Sequence, residues 1–233
     1  MQPVGYCRWS TERKAAAMAM RIPMLIVFSV RGDLCFLSHR ETLTMWSRIL
    51  ARSGLPVCYS GGFNPHPRLS IPLPRPVGVE SDEEILLVQL EGDCSASDAE
   101  GLGRMLPAGC AVQRIELPAM PVRRVPVRAD YIFVRGEGLP EDFWLGRLED
   151  CRRQLQSAEP IVQCRQVPGK SGKAVDLREY AEEVSGDSER IRLRCRITPT
   201  GTLRPEEMLA WLGIGRMDLA GPPQRTQVVW THN

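Results

Sequence analysis

Apolar residues arrive along this 233-residue chain in two alternating rhythms. IPMLIVFSV (22–30) is a continuous apolar run of strand length, closed by Arg31-Gly32-Asp33 as a turn. LSHRETLTMWSRILARSG follows with a helical rhythm. Leu43, Trp46, Ile49 and Leu50 fall on one face, with Arg40, Thr44, Ser47, Arg48 and Arg52 mostly on the other. Ser38 and Glu41 stand at capping-box spacing, and Gly54 ends the helix. LPVCYS is a short second strand, and EEILLVQLEG (83–92) is a longer apolar one. SASDAEGLGRMLPAG gives a weaker helix with internal glycines, and CAVQRIEL (110–117) closes the series as a strand. Strand, helix, strand, strand, helix, strand is the order of a split βαβ, ferredoxin-like unit.

The rhythm then lapses. MPVRRVPVR (120–128), with its prolines and arginines and no lasting period, reads as a linker. Beyond it the pattern partly repeats. ADYIFVRG (129–136) is a strand, and EDFWLGRLEDCRRQLQ is a helix with Trp144, Leu148, Cys151 and Leu155 on one face. IVQCRQV is a strand, PGKSGK a turn, and KAVDLREYAEEV fits either a strand or a short helix. ERIRLRCRI (189–197) is the clearest strand of the chain. RPEEMLAWLG is a helix with Pro205 first, two glutamates at its positive end and Gly213 after it; TQVVWTH (226–232) is a last strand. The expectation is an α+β protein of two tandem ferredoxin-like (split βαβ) units, antiparallel sheets with helices on one face. Its parts are a poorly ordered extension (1–20), a first domain (21–119), the linker (120–128) and a second domain (129–233).

Composition narrows the classes. Hydrophobic residues at 43% and charged ones at 25% are ordinary for a globular chain, and a net charge of +2 leaves nucleic-acid binding to local charge distribution. No two of the eight cysteines lie closer than 13 positions, so neither a closely spaced zinc site nor an iron–sulfur ligand set is predicted. Buried, reduced thiols in a cytoplasmic protein fit better. Arg21 interrupts any signal-peptide core, and the run 22–30 is far short of the ~20 residues of a membrane helix. No metal site and no cofactor of this chain's own are expected.

Three places carry candidate chemistry. SGGFNPHPRLSIPLP (60–74) puts Gly61 and Gly62 before a series of prolines that hold Asn64, His66 and Arg68 in extended geometry. Such a strip is stiff, which suits either a preorganised binding surface or an edge crossing protected from aggregation. The first turn and helix start gather Arg31, Asp33, Ser38, His39 and Arg40. That set resembles a phosphate or carboxylate cradle, or simple capping. His66, His39 and Asp33 are weak candidates for acid–base work. In ERIRLRCRI, Arg190, Arg192, Arg194 and Arg196 share one strand face, either as a phosphate-tracking ladder or neutralised by acids in LREYAEEV or SGDSE. Tyr131 and Phe133 share a face with Arg135 and fit core packing or base stacking. Walker, GxGxxG, GxSxG and HExxH motifs are absent.

Gly32-Asp33-Leu34, Phe36-Leu37-Ser38-His39, Ser53-Gly54-Leu55-Pro56, Gly62-Phe63-Asn64-Pro65-His66-Pro67, Leu69-Ser70 and Pro76-Val77-Gly78-Val79-Glu80 together resemble the radical-SAM-linked protein family. Val175-Asp176-Leu177-Arg178 and Arg204-Pro205-Glu206-Glu207 add weaker likeness. Cys35 and Cys58 depart from the usual residues at their places. The resemblance spans most of 21–233 and implies a bacterial cytoplasmic protein that works beside a radical SAM enzyme. The chain itself has no CxxxCxxC for such an enzyme's cluster. The expected function is a non-catalytic module that presents RNA, a tRNA or rRNA, to that enzyme. Its contact residues would be Arg31, Ser38, Arg40, Gly61, Gly62, Asn64, His66, Arg68, Arg192, Arg194 and Arg196. The alternatives are a small acid–base or phosphate-handling enzyme using His66 and His39, and a purely protein-docking subunit.

Overall fold

The computed structural model describes residues 21–92, 94–95, 99–119, 123–167 and 170–232. The expected N-terminal extension, residues 120–122 of the expected linker and Pro168-Gly169 of the expected turn lie outside them. The first half contains β1 (Arg21–Val30), α1 (His39–Ser53), β2 (Leu69–Ser70), β3 (Glu80–Glu91) and β4 (Cys110–Glu116). Its strands lie in the order β4-β1-β3, with β2 on the far side of β3, all antiparallel. The second half contains β5 (Arg124–Val134), α2 (Glu141–Gln156), β6 (Val162–Val167), β7 (Lys170–Asp176), β8 (Ala181–Gly186), β9 (Arg190–Arg196), α3 (Pro205–Leu212) and β10 (Gln224–His232). Here the order is β10-β5-β9-β8, again antiparallel, while β6 and β7 form a separate two-stranded hairpin.

The two halves share one mixed sheet rather than two antiparallel ones. The start of β10 pairs parallel with the start of β3, Gln224 with Glu80 and Arg225 with Ser81. An exposed sheet edge is an aggregation hazard, and this pairing covers a short stretch of one in each half. β5 begins at Arg124, opposite His232, so most of the stretch predicted as a linker is strand. The ambiguous KAVDLREYAEEV resolves into β7, a 3-10 turn at Leu177–Glu179 and β8. In the described part of the weak second helix, Ala99 is α-helical and Glu100–Met105 is a 3-10 segment, where two internal glycines make an α-helix expensive.

Each half has its own core. In the first, Met24, Ile26, Phe28 and Val30 of β1 face Trp46, Ile49 and Leu50 of α1. Trp46 meets Phe28 edge to face at 4.9 Å. In the second, Tyr131 and Phe133 pack with Trp144, Leu148, Ile191, Leu193 and Trp211, so that pair is core. β1 is also buried on its back. After only two pairs with β3, β10 bends away through two bulges and carries Trp230 onto Leu25, Val27 and Ile85.

The seam between the halves is polar and closed. Arg225 and Glu84 are 1% and 2% exposed and meet at 2.5 Å. Arg225 also donates to the carbonyl of Leu73 at 3.3 Å. Burial works against its charge, but Glu84 and Tyr131 more than offset this and its pKa is raised.

Candidate functional site

The strand that flanks β3 at its far end is split in two, and the insertion is the GFNPHP stretch. Glu91 N–H donates to Pro56 O at 2.7 Å, and Cys58 N–H to Gln89 O at 2.8 Å. The chain then leaves the sheet and returns at Arg68, whose carbonyl accepts from Gln89 N–H at 3.0 Å. The neck is pinned by Arg68 N–H to Cys58 O at 2.8 Å and by the Tyr59–Pro67 bridge. Above it, Ser60 N–H donates to His66 O at 2.8 Å, and His66 N–H donates to Ser60 Oγ at 2.9 Å. Residues 61–65 form the tip. Gly62 takes φ +113°, which a side chain would strain, and a Cβ at Gly61 would meet nothing. Pro65 and Pro67 lie where no further ladder donor is needed. At the tip Phe63 is 111% exposed, with Asn64, His66 and Arg68 exposed beside it. The stretch is therefore a sheet-edge device and a presented surface together.

Below the hairpin the chain runs as β2 and then Ile71–Val79 toward the seam. There Arg75 is 8% exposed and donates to five carbonyls. They include Cys35 at 2.5 Å, Val79 at 2.6 Å and Leu34 at 3.1 Å. These bonds tie the strip to the turn before α1. Burial lowers the Arg75 pKa. Glu80 accepts from Gly32 N–H at 2.8 Å and pairs with Arg31 at 3.3 Å. Arg31 also meets Asp82. Arg31 is thus an ion-paired strut, Ser38 is the cap of α1 in a full capping box with Glu41, and Asp33 lies exposed in the 3-10 turn.

His39 and His66 do not converge. His39 rims a cavity of about 10 Å³ with Val30, Thr42, Ile71, Arg75 and Glu84, room for about one water. His66 stands over the Gln89 end of β3, five residues from Glu84, or roughly 17 Å along the strand. Among the described residues no cluster of three or more His, Cys, Asp and Glu could hold a metal ion.

The cations divide by half. Three of the four arginines of the predicted ladder are neutralised, and Arg190 lies exposed at its end. Arg192 and Arg194 both bind Asp130, which is 3% exposed; Arg194 also reaches Glu183 at 2.8 Å, and Arg196 reaches Glu182 at 3.2 Å. Burial alone would raise the Asp130 carboxyl, but hydrogen bonds from Arg194 and Arg192 outweigh it and hold the group below its usual range. Arg40, Arg48 and Arg52, by contrast, are exposed on α1 and have no carboxylate partner among the described residues. At 100° per residue they fall within an arc of about 120°. Among the described residues the Arg68 guanidinium makes only a 3.5 Å bond, to Tyr59 O. Arg48 and Arg52 also wall an open groove of about 560 Å³ floored by Met45, Met105 and Leu106. At the other end of the sheet, Phe36, Val77 and Met217 are 58%, 49% and 95% exposed on adjoining turns. Gly78 N–H bonds Cys35 O there, and Arg216 lies against Gly78.

Four residues here were not legible as a group in the sequence: Arg75, Glu84, Arg225 and Asp130. Asp130 had a visible signal, as the lone acid of its strand. Glu84 and Arg225 come together only through the β3–β10 pairing, which no local pattern encodes.

The geometry defines a class: an α+β protein with a mixed sheet, an extruded edge hairpin and a one-sided basic helix. The chain belongs to the family described as an uncharacterized protein conserved in bacteria, DUF2344, whose model matches residues 24–205. No curated protein matches it. Among the solved structures that match is "Crystal structure of putative glycine cleavage system transcriptional repressor", 12% identical, with a TM-score of 0.24, covering 92% of this chain and 100% of that one. No helix among the described residues is long and apolar enough to cross a membrane.

Proposed function

We propose that this protein is a non-catalytic RNA-binding module, with the first half as its contact surface. The observation that carries the reading is the placement of cations. Arg192, Arg194 and Arg196 of β9 are bound to carboxylates, whereas Arg40, Arg48, Arg52 and Arg68 face solvent on α1 and the hairpin. Unpaired surface cations together with an outward-facing aromatic suit a phosphate backbone and an unpaired base. Arg192, Arg194 and Arg196 have no part in this contact. The strand orders β4-β1-β3-β2 and β10-β5-β9-β8 fit two split βαβ units joined edge to edge. With the family resemblance of the motifs, the module would serve a radical SAM modification enzyme in the bacterial cytoplasm. The exposed Phe36, Val77 and Met217 at the opposite end suit the docking of that enzyme.

The test is anisotropy titration of the purified protein with tRNA and rRNA fragments across a salt series. Arg48→Ala with Arg52→Ala is expected to flatten the slope of log affinity against log salt by about 1.4. Phe63→Ala is expected to weaken binding about tenfold with no change in melting temperature. A wild-type protein that binds no RNA at low salt sinks the proposal.

A further inference from the structure

The back of the first-half sheet carries a second concavity beside the hairpin, unconnected to α1. Two cross-strand rows make it. One row is Ser70, Leu87 and Leu25; the next is Arg68, Gln89 and Pro23. Alternation along a strand puts residues of both rows on the same face, two positions or roughly 7 Å apart. Pro118, just beyond β4, closes the end. The groove holds about 270 Å³, and no acidic residue among the described ones lines it.

From this we infer that the groove receives one unpaired nucleotide of the bound RNA, an assignment that rests on the RNA-binding reading above. Three features select that occupant. The volume lies just under the 300–1,000 Å³ of drug-sized pockets, which suits one planar ring and its sugar and excludes a duplex or a helix. The apolar floor of Leu25, Leu87 and Pro23 suits a ring face, while the exposed Gln89 amide and Ser70 hydroxyl at the edge offer donors and acceptors to a base edge. Arg68 supplies the only cation of the lining, on the strand that descends directly from the Phe63 tip, where a phosphate would need it. The tip would hold one base on Phe63, and the groove a neighbouring one.

The probe is a short single-stranded RNA, compared with the same strand annealed to its complement, in anisotropy titrations. Ser70→Trp fills the groove from an exposed position, and Gln89→Leu removes its amide; circular dichroism melts verify the fold. Each is expected to weaken single-strand binding about tenfold and leave duplex binding unchanged. If Ser70→Trp does not fold, Gln89→Leu carries the comparison. Unchanged single-strand affinity in the folded variants overturns the groove and leaves the α1 and hairpin contact standing. If the wild type binds no RNA, 5′-AMP and 5′-UMP are titrated while the amide resonances of Leu87 and Gln89 are followed. Shifts there with nucleotide, and none with inorganic phosphate, support the groove without the RNA reading. Silence, or shifts only with a proline-rich peptide, overturns it.

Discussion

Replacing Glu84 by Gln should expose what the seam between the halves is worth. The substitution keeps the shape of the side chain and removes its charge. Arg225 is then left at 1% exposure with neutral partners alone: the Leu73 carbonyl at 3.3 Å, Tyr131 and the new amide. Breaking a buried pair by neutralising one partner costs about 3–5 kcal/mol, since the other charge stays in a low-dielectric interior. Arg75 adds to the cost, because Glu84 is the carboxylate that most offsets its own burial. In a chain of this size each 1 kcal/mol moves the midpoint by roughly 2–4 °C, so the melt should fall by about 10 °C. Arg225→Met is expected to cost a similar amount, by leaving Glu84 without its cation. The double variant, Glu84→Met with Arg225→Met, removes both charges together. It should recover more than half of the summed loss, although Arg75 then lacks its nearest counter-charge. Urea unfolding of the four proteins gives the coupling directly. Additivity to within about 0.5 kcal/mol would refute the view that the seam is a closed ion pair.

Three further outcomes follow from the described contacts. Asp130 is held below the usual carboxyl range by Arg194 and Arg192, so the folded state gives up its proton more readily than the unfolded one. Its stabilisation should be complete above the unfolded value near ~4 and be lost as pH falls through the lower folded value; Asp130→Asn should flatten that acid limb of a stability–pH curve. Ser38→Ala breaks the capping box of α1 and should cost about 1 kcal/mol in urea unfolding, with Thr supporting nearly wild-type stability. Gly54 ends α1 at φ 76°, and Gly54→Ala should cost about 1 kcal/mol by the same measurement.

Local rules carried the sequence a long way. The cap at Ser38, the α1 face of Trp46, Ile49 and Leu50, and β9 with its alternating arginines all follow from spacing that short-range physics enforces. Long-range pairing was not legible. The β3–β10 contact joins residues such as Glu80 and Gln224, 144 positions apart, and gives no periodic signal. It turns two expected sheets into one, and it makes Glu84 and Arg225 a pair. The same limit governs the arginine ladder. Alternation put its members on one face, but their fate depended on Asp130 in a strand 64 positions from Arg194. The strip expected to run extended through Asn64 instead bends at Gly61–Asn64 above a paired neck, because the pairing of Cys58–Ser60 with His66–Arg68 is itself a contact that local backbone preferences do not encode.

β10, which follows β3 by more than 130 residues, lies inside the sheet between β3 and β5, and this orders the way the protein is made. During synthesis β1, α1, β3 and β4 emerge first and can pair locally, while Glu84 waits for an arginine that leaves the ribosome some 140 residues later. Until then a carboxylate sits on an unfinished core, and the start of β3 offers a bare edge. Assembly of the joined protein should therefore be a late step that follows the first half. In pulsed hydrogen exchange during refolding, amides of β1 and β4 should gain protection before those at Glu80–Ser81 and Gln224–Arg225; simultaneous protection would refute this order. Cells would meet the half-built form as a chaperone client, with the joined sheet reached only when β10 arrives.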